Sequence, residues 1–214
     1  MRIIKEADER KSEILDIAEK LFAQNGFDNT STNAILEAAG IARGTLYYHF
    51  RSKEEIMDAV IERHSRRLLA AAKEVAGDKS KSVYERIVES VMALKLDQSE
   101  QGVIEHIHRP QNALMHQKVQ RSILNGLTPI LAEMIREGIE GDLFHTPFPY
   151  ECMEMLVAYA GTVFDGDMVE LNEEERASRI QALVFNIERL LGVKSGAFSF
   201  MSQIFENGAE ASHE

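Results

Sequence analysis

Arg43, Thr45, Tyr47, Tyr48 and His49 stand within seven residues of one another, and Arg51 and Lys53 follow at once. They supply guanidinium, ammonium, hydroxyl and imidazole donors, and no Asp or Glu occurs between Glu37 and Glu54 to oppose them. Donors without nearby carboxylates suit a polyanion, and above all the phosphates and base edges of duplex DNA. Leu46 and Phe50, four apart, can turn into a core from one face of a short helix over about 43–49, leaving the polar and aromatic side chains toward solvent. Such a surface fits a major groove.

The elements that must hold this helix lie on either side of it. Thr30, Ser31 and Thr32 offer N-cap hydroxyls, Ile35, Leu36, Ala38 and Ala39 give a short apolar-faced helix, and Gly40 supplies a tight turn, which together make a helix-turn-helix. Ser52-x-x-Glu55 reads as a capping box that starts a further helix. Lys53 then falls in its first turn, where an ammonium and free backbone N–H groups can share one phosphate. Upstream, Ile14, Ile17, Ala18, Leu21 and Phe22 form the apolar stripe of a helix over 11–25, ended by Gly26 with Phe27 tucked beneath. A plain three-helix structural domain with half-buried tyrosines would share much of this pattern. It would not require Gly40, Arg43 and the Tyr-Tyr-His-Phe-x-Ser-Lys spacing together.

The run AGIARGTLYYHFRSKEE from Ala39 to Glu55 resembles the signature of the tetracycline-repressor-like (TetR) transcription regulators, and the likeness covers roughly Glu9 to Met57. The resemblance implies that Thr32, Arg43, Gly44, Thr45, Tyr47, Tyr48, His49 and Lys53 approach double-stranded operator DNA, with the tyrosines, histidine and lysine largely on phosphates. One departure is Ala42, where the family usually carries a serine, so a helix cap is missing there. The resemblance also implies a small-molecule pocket within roughly 88–164 and a dimer bundle built by the last two helices.

With 214 residues the chain can bury about 70% of its unfolded surface without staples. Cys152 stands alone, the N-terminus carries no apolar signal core, and the apolar-rich stretch around Met153 to Phe164 is too short for a bilayer, so a soluble cytoplasmic protein with no membrane partner is expected. The net charge of −11 is unevenly spread: the first 67 residues hold 11 Lys+Arg against 12 Asp+Glu, which leaves −10 for the remainder. The acidic part should be kept from the phosphates.

Strand signals are almost absent, and the fold class expected is all-α. Residues 1–55 make a three-helix DNA-binding domain, helix 53–76 links it onward, 56–194 form a larger ligand-binding and dimerisation domain, and 195–214 are a partly disordered tail. The four prolines, Pro110, Pro129, Pro147 and Pro149, each fall where a helix could begin. Helices are accordingly predicted over 82–97, 101–108, 111–125, 129–140, 149–164 and 172–191. The last opens on an Asn172-x-x-Glu175 cap and closes at Gly192. Its Ile180, Leu183, Val184, Ile187 and Leu191 recur at helical spacing and, with Leu156 and Ala160 before them, are the expected dimer interface. Taken alone the stripe could equally complete the monomer's core. A single recognition helix reads few base pairs, and this favours a symmetric homodimer on two half-sites.

Polar handles for an effector are expected from His106, Arg109, His116, Met134, Phe144, Tyr159 and Phe164 within a Leu/Ile/Met-rich core. His106-x-His108 is poorly spaced for one helical face, so no metal is expected. No P-loop, dinucleotide fingerprint, zincin motif or nucleophile elbow occurs, so neither enzyme activity nor a cofactor is expected. The reading is a homodimeric repressor released by a small effector. The alternative is a constitutive regulator whose second half only dimerises or binds a protein partner. A void of several hundred Å³ (roughly) with converging polar groups would favour the first, and a solid core the second.

Overall fold

Helices account for all the regular structure in residues 7–94, 113–164, 169 and 171–198, the part of the chain that the computed structural model describes. In order they are α1 (Ala7–Asn25), α2 (Thr32–Ala39), α3 (Arg43–His49), α4 (Lys53–Gly77), α5 (Val83–Met92), α6 (Ala113–Glu140), α7 (Pro149–Val163) and α8 (Glu173–Leu190). The chain divides into two compact units, residues 1–68 with 96–122 and residues 69–95 with 123–214.

In the first unit, Ile14, Ala18 and Phe22 of α1, Ile35 of α2, Leu46 of α3 and Ile56, Met57 and Val60 of α4 make one buried cluster closed by Phe50. Each of the larger side chains among them contributes about 1.5–3 kcal/mol by leaving water. Because α4 feeds this cluster as far as Ile61, the compact head reaches Leu68, past the limit of 55 expected from the sequence. Gly40, at φ +60°, ends α2 in the left-handed conformation that permits the turn. Its N–H donates to the Glu37 carbonyl, and that of Ile41 to Leu36. Arg63 of α4 reaches back to α1, bonding Asp16 at 2.6 Å and Glu19 at 2.5 Å.

In the second unit, α5 and α8 both begin with reciprocal capping boxes, Ser82 with Glu85 and Asn172 with Glu175, and α7 begins with Pro149 in its first turn. The expected break at Pro129 does not occur: α6 runs unbroken from 113 to 140 with the proline inside it. A mid-helix proline leaves one carbonyl without its N–H partner. Here Leu127, Leu131, Ala132 and Ile135, buried on either side, hold the helix together against that penalty. The shorter helix predicted over 101–108 and the start of that over 111–125 lie outside the described residues.

Arg86 fastens three elements of this unit. Its guanidinium donates to the Ala76 carbonyl at 2.8 Å and pairs with Glu137 of α6, which Lys79 also holds. Ser90, one turn on, donates to the Ala72 carbonyl at 3.1 Å. Two contacts in one register thus lock α5 to the last turns of α4.

Candidate functional site

The sequence of α3 leaves its N-cap to Ala42, which makes no side-chain cap, and buries only Leu46. Burial of Leu46 and Phe50 in the head core fixes how the helix rolls. Arg43, Gly44, Tyr47 and Tyr48 consequently face solvent, with Thr45 and His49 half-buried at the margins. Tyr48 is 78% exposed, far more than an aromatic ring would be on a purely structural helix. Its ring meets His49 edge-on at 5.0 Å, and the Arg43 guanidinium lies over Tyr47 at 5.5 Å, so hydroxyls, imidazole and guanidinium are presented from a partly ordered surface. A Cβ built on Gly44 would meet nothing, so the backbone is open to close approach.

Thr32 opens α2 and is half-buried, while the hydroxyl that caps the helix is that of Ser31, accepting from the Ala34 N–H at 3.1 Å. Lys53 is the first residue of α4, as its spacing predicted, but its ammonium is already engaged. It donates to the Phe27 carbonyl at 2.7 Å and to Asp28 at 3.4 Å, and sits 4.2 Å from the centre of the Phe27 ring. Lys53 therefore clamps the α1–α2 connection to the start of α4, and at most part of its donor capacity faces outward. The Ser52 hydroxyl caps the same terminus, accepting from the Glu55 N–H at 3.2 Å. Hydrogen bonds from its own N–H and from Ser52 hold the Glu54 carboxyl below its ordinary value, so an anion stays beside the positive end of α4.

The second unit holds a partly open apolar cavity of about 170 Å³. Its walls come from Ile87 and Val91 of α5, several aliphatic side chains of α6, Leu156 and Val157 of α7, Leu183 and Ile187 of α8, and Phe198. Among the described residues every lining side chain is apolar. The expected polar handles are elsewhere. His116 belongs to the first unit; Met134 and Phe144 are buried in packing contacts without reaching the cavity, and Tyr159 and Phe164 meet each other edge-on at 6.1 Å away from it. His106 and Arg109 lie outside the described residues. The walls carried no distinguishing signal, because aliphatic residues at helical spacing read the same whether they meet a neighbour or a void. Phe198 did carry one, as an aromatic in a Gly- and Ser-rich tail.

The residues expected at a dimer interface lie on α7, on α8 and at the C-cap of α8. Ile180, Leu183, Val184, Ile187 and Leu191 are all buried within their own chain, and Leu156 and Ala160 line the cavity. The stripe is a core face, already covered. What α7 and α8 leave uncovered is Met155, Tyr159 and Phe185, at 60%, 38% and 54% exposure, with the Arg189 guanidinium 5.2 Å from the Phe185 ring. No group of three potential metal ligands occurs among the described residues, and no described helix is long and apolar enough to cross a membrane.

Residues 14–60 match the model of bacterial regulatory proteins of the tetR family, and residues 95–186 that of the tetracyclin repressor-like C-terminal domain. The transcriptional regulator UidR of Escherichia coli K12 is 41% identical over 69 residues, which are 32% of this chain and about a third (35%) of UidR. The regulator TtgR of Pseudomonas putida is 28% identical over 155 residues, covering 66% of this chain and 74% of its own. Among solved structures, Salmonella enterica GusR superposes with a TM-score of 0.59 at 22% identity, over 88% of this chain and 98% of that one. SmeT, the repressor of a Stenotrophomonas maltophilia multidrug efflux pump, gives 0.58 at 26%, over 87% and 91%, and has also been solved with triclosan. The first matched segment lies in the first unit, the second spans residues 96–122 of that unit and runs on into the second, and the chain belongs to the TetR family of transcriptional regulators.

Proposed function

We propose that this chain is a homodimeric repressor that holds operator DNA through α3 and its flanks and releases it when a small molecule fills the cavity of the second unit. The observation that carries the reading is the cavity. Aliphatic side chains of four helices leave about 170 Å³ unfilled between them, where close packing is the rule. An unfilled apolar space of that size beside an otherwise packed core is accounted for by a ligand that occupies it. It is smaller than the several hundred Å³ expected for an effector site and lacks converging polar groups, yet the core is not the solid one that the constitutive alternative requires.

Thr32, Arg43, Gly44, Thr45, Tyr47, Tyr48 and His49 are assigned to DNA, with Lys53 serving first as a clamp and second as a phosphate donor. The second copy is assigned to Met155, Tyr159 and Phe185, whose exposure on two adjacent helices calls for a cover. Two recognition helices must meet half-sites about 34 Å apart, so an effector need only change the separation of the heads by a few ångströms to weaken docking.

The test begins with an operator selected from a random duplex library and titrates toluene as a first cavity probe, with and without that DNA. Coupling is reciprocal, so operator should weaken probe binding by the factor, about 5–150, by which probe weakens operator binding. Binding of toluene with equal affinity in both titrations would overturn gating in favour of the constitutive regulator. Phe185→Asp should yield monomers by light scattering and lose tight operator binding; a folded dimer would move the interface elsewhere.

A further inference from the structure

We propose that the cavity takes an uncharged, predominantly apolar molecule of about one ring, and that Phe198, latched by Glu188, sets the upper limit of its size. The proposal rests on reading the cavity as the effector site and specifies what that site accepts. Its first support is the chemistry of the walls. With every described lining side chain apolar, a charged or strongly polar ligand would surrender its hydration and receive no partner, whereas a hydrocarbon ring surrenders nothing it needs. Water held deep in it fares little better, since an ordered water needs two to four polar partners; an engineered cavity of about 150 Å³ lined by Leu, Ile and Phe binds benzene. At about 170 Å³ this cavity holds slightly more than one such ring.

The second support is the way Phe198 is held. It comes from the short segment after α8, and it is fully buried. Its ring lies nearly parallel to that of Phe144, 16° and 6.3 Å apart, and meets Tyr84 at 5.1 Å. The backbone N–H groups of Gly196 and Phe198 both donate to the same Glu188 oxygen, at 2.9 and 3.0 Å. Glu188 is only 5% exposed and adjoins Ile187, itself a lining residue. Gly196, at φ +92°, adopts the left-handed conformation that lets the segment fold back on that carboxylate. A buried carboxylate with two backbone donors is a specific attachment, and what it attaches is a wall of the cavity. The chain's own phenyl ring therefore occupies volume that a larger ligand would need.

Isothermal titration of toluene, naphthalene, benzoate and 2-naphthoate into the full chain, without DNA, tests both parts. Toluene should bind saturably and benzoate should not. Phe198→Ala should raise naphthalene affinity relative to toluene by about tenfold or more, the discrimination expected for a few methylene equivalents in an apolar pocket. Glu188→Ala, which frees the latch, should move the ratio the same way, and Glu188→Gln, which keeps an accepting oxygen, should leave it near wild type. If Phe198→Ala fails to fold, Phe198→Leu carries the size test, with a smaller shift of the same sign. Benzoate binding more tightly than toluene would overturn the ligand class, and a naphthalene-to-toluene ratio unmoved in folded Phe198 and Glu188→Ala variants would overturn the size limit. Saturable toluene binding that leaves operator affinity unchanged would uphold this inference while removing the effector-gated reading. An absence of saturable binding by either uncharged ring would remove this inference and leave gating by a ligand of other chemistry intact.

Discussion

The two units of this chain carry function in opposite ways. In the head, side chains capable of contacting DNA project outward from a small closed core: Tyr48 is 78% exposed while Leu46, two residues earlier, is 1% exposed. In the second unit the candidate site is a space bounded by ordinary aliphatic side chains, and the polar groups with definite geometry, Arg86 and Glu188, are spent on holding the fold. Exposed chemistry can be substituted without disturbing stability. A void cannot be altered without altering packing, so specificity and stability are coupled in the second unit and separable in the first.

The largest effect should come from breaking Arg86, whose side chain is 1% exposed. Arg86→Ala leaves a cavity and strips the Ala76 carbonyl of its donor. Glu137, 37% exposed and still paired with Lys79, is spared becoming an isolated buried charge. The expected cost is therefore about 3 kcal/mol, the low end for a broken buried pair. Arg86→Met, which refills the space, should recover most of it in urea denaturation. Toluene binding should follow stability in both variants. A loss of binding in a fully stable Arg86→Met protein would mean that this arginine serves the ligand directly and would break the contrast between the units.

Next in size is Tyr48→Ala. Losing one hydroxyl–phosphate contact should cost about 1.5 kcal/mol per subunit, roughly tenfold for each half-site and on the order of a hundredfold for the dimer, for specific and unrelated sequences alike. The thermal midpoint should not move, because the ring packs on little beyond His49. A destabilised Tyr48→Ala protein would show that the exposed face of α3 is structural after all. Lys53→Ala tests the residue that belongs to both categories. Loss of its bonds to the Phe27 and Asp28 carbonyls should lower head stability by about 1 kcal/mol. Any direct phosphate contact should show separately, as a salt slope shallower by about one for each contact removed. Lower stability with an unchanged slope would make Lys53 a clamp only.

The boundary between what could and could not be read from the residues follows the same line. The limits of α3, the Gly40 turn, the Asn172–Glu175 cap and the start of α7 at Pro149 depend on interactions within a few residues, and the local pattern contains them. Pro129 misled because a local penalty was outweighed by distant packing of Leu127, Leu131 and Ile135, which no window of sequence displays. The Leu183–Ile187 stripe announced a buried face without saying whether the same chain or a second copy buries it. The cavity was the least legible of all. Its lining is the same set of Leu, Ile and Val that fills a solid core, and no polar side chain among the described residues marks these walls.

A smaller effect is expected from acid. Hydrogen bonds from Arg86 and Lys79 hold the Glu137 carboxyl below its ordinary value of 4.5. The folded state thus favours the ionised form, and its stabilisation is fully present above the ordinary value and is lost as pH falls through the depressed one. Relative to Glu137→Gln, the wild-type midpoint should fall more between about pH 6 and pH 3, by the equivalent of under about 1 kcal/mol because solvent screens a side chain this exposed. Parallel midpoints for the two proteins across that range would mean that the pair adds nothing to the lock between α5 and α6.

The finest test uses two glycines. At Gly126 in α6, an added Cβ would stand 2.2 Å from a Leu69 methyl, so Gly126→Ala should destabilise despite the better helix propensity of alanine. At Gly44 in α3 the added Cβ meets nothing, and Gly44→Ala should stabilise the free protein by up to about 1 kcal/mol. The same methyl would stand on the face assigned to DNA, next to Arg43 and Thr45, where it would hold the backbone away from the duplex. Gly44→Ala should thus be more stable and bind operator more weakly, a divergence that only a surface shaped for a partner produces. If the variant were stabilised and bound operator as tightly as wild type, Gly44 would make no close approach to DNA, and the separation of function from stability in the head would rest on its side chains alone.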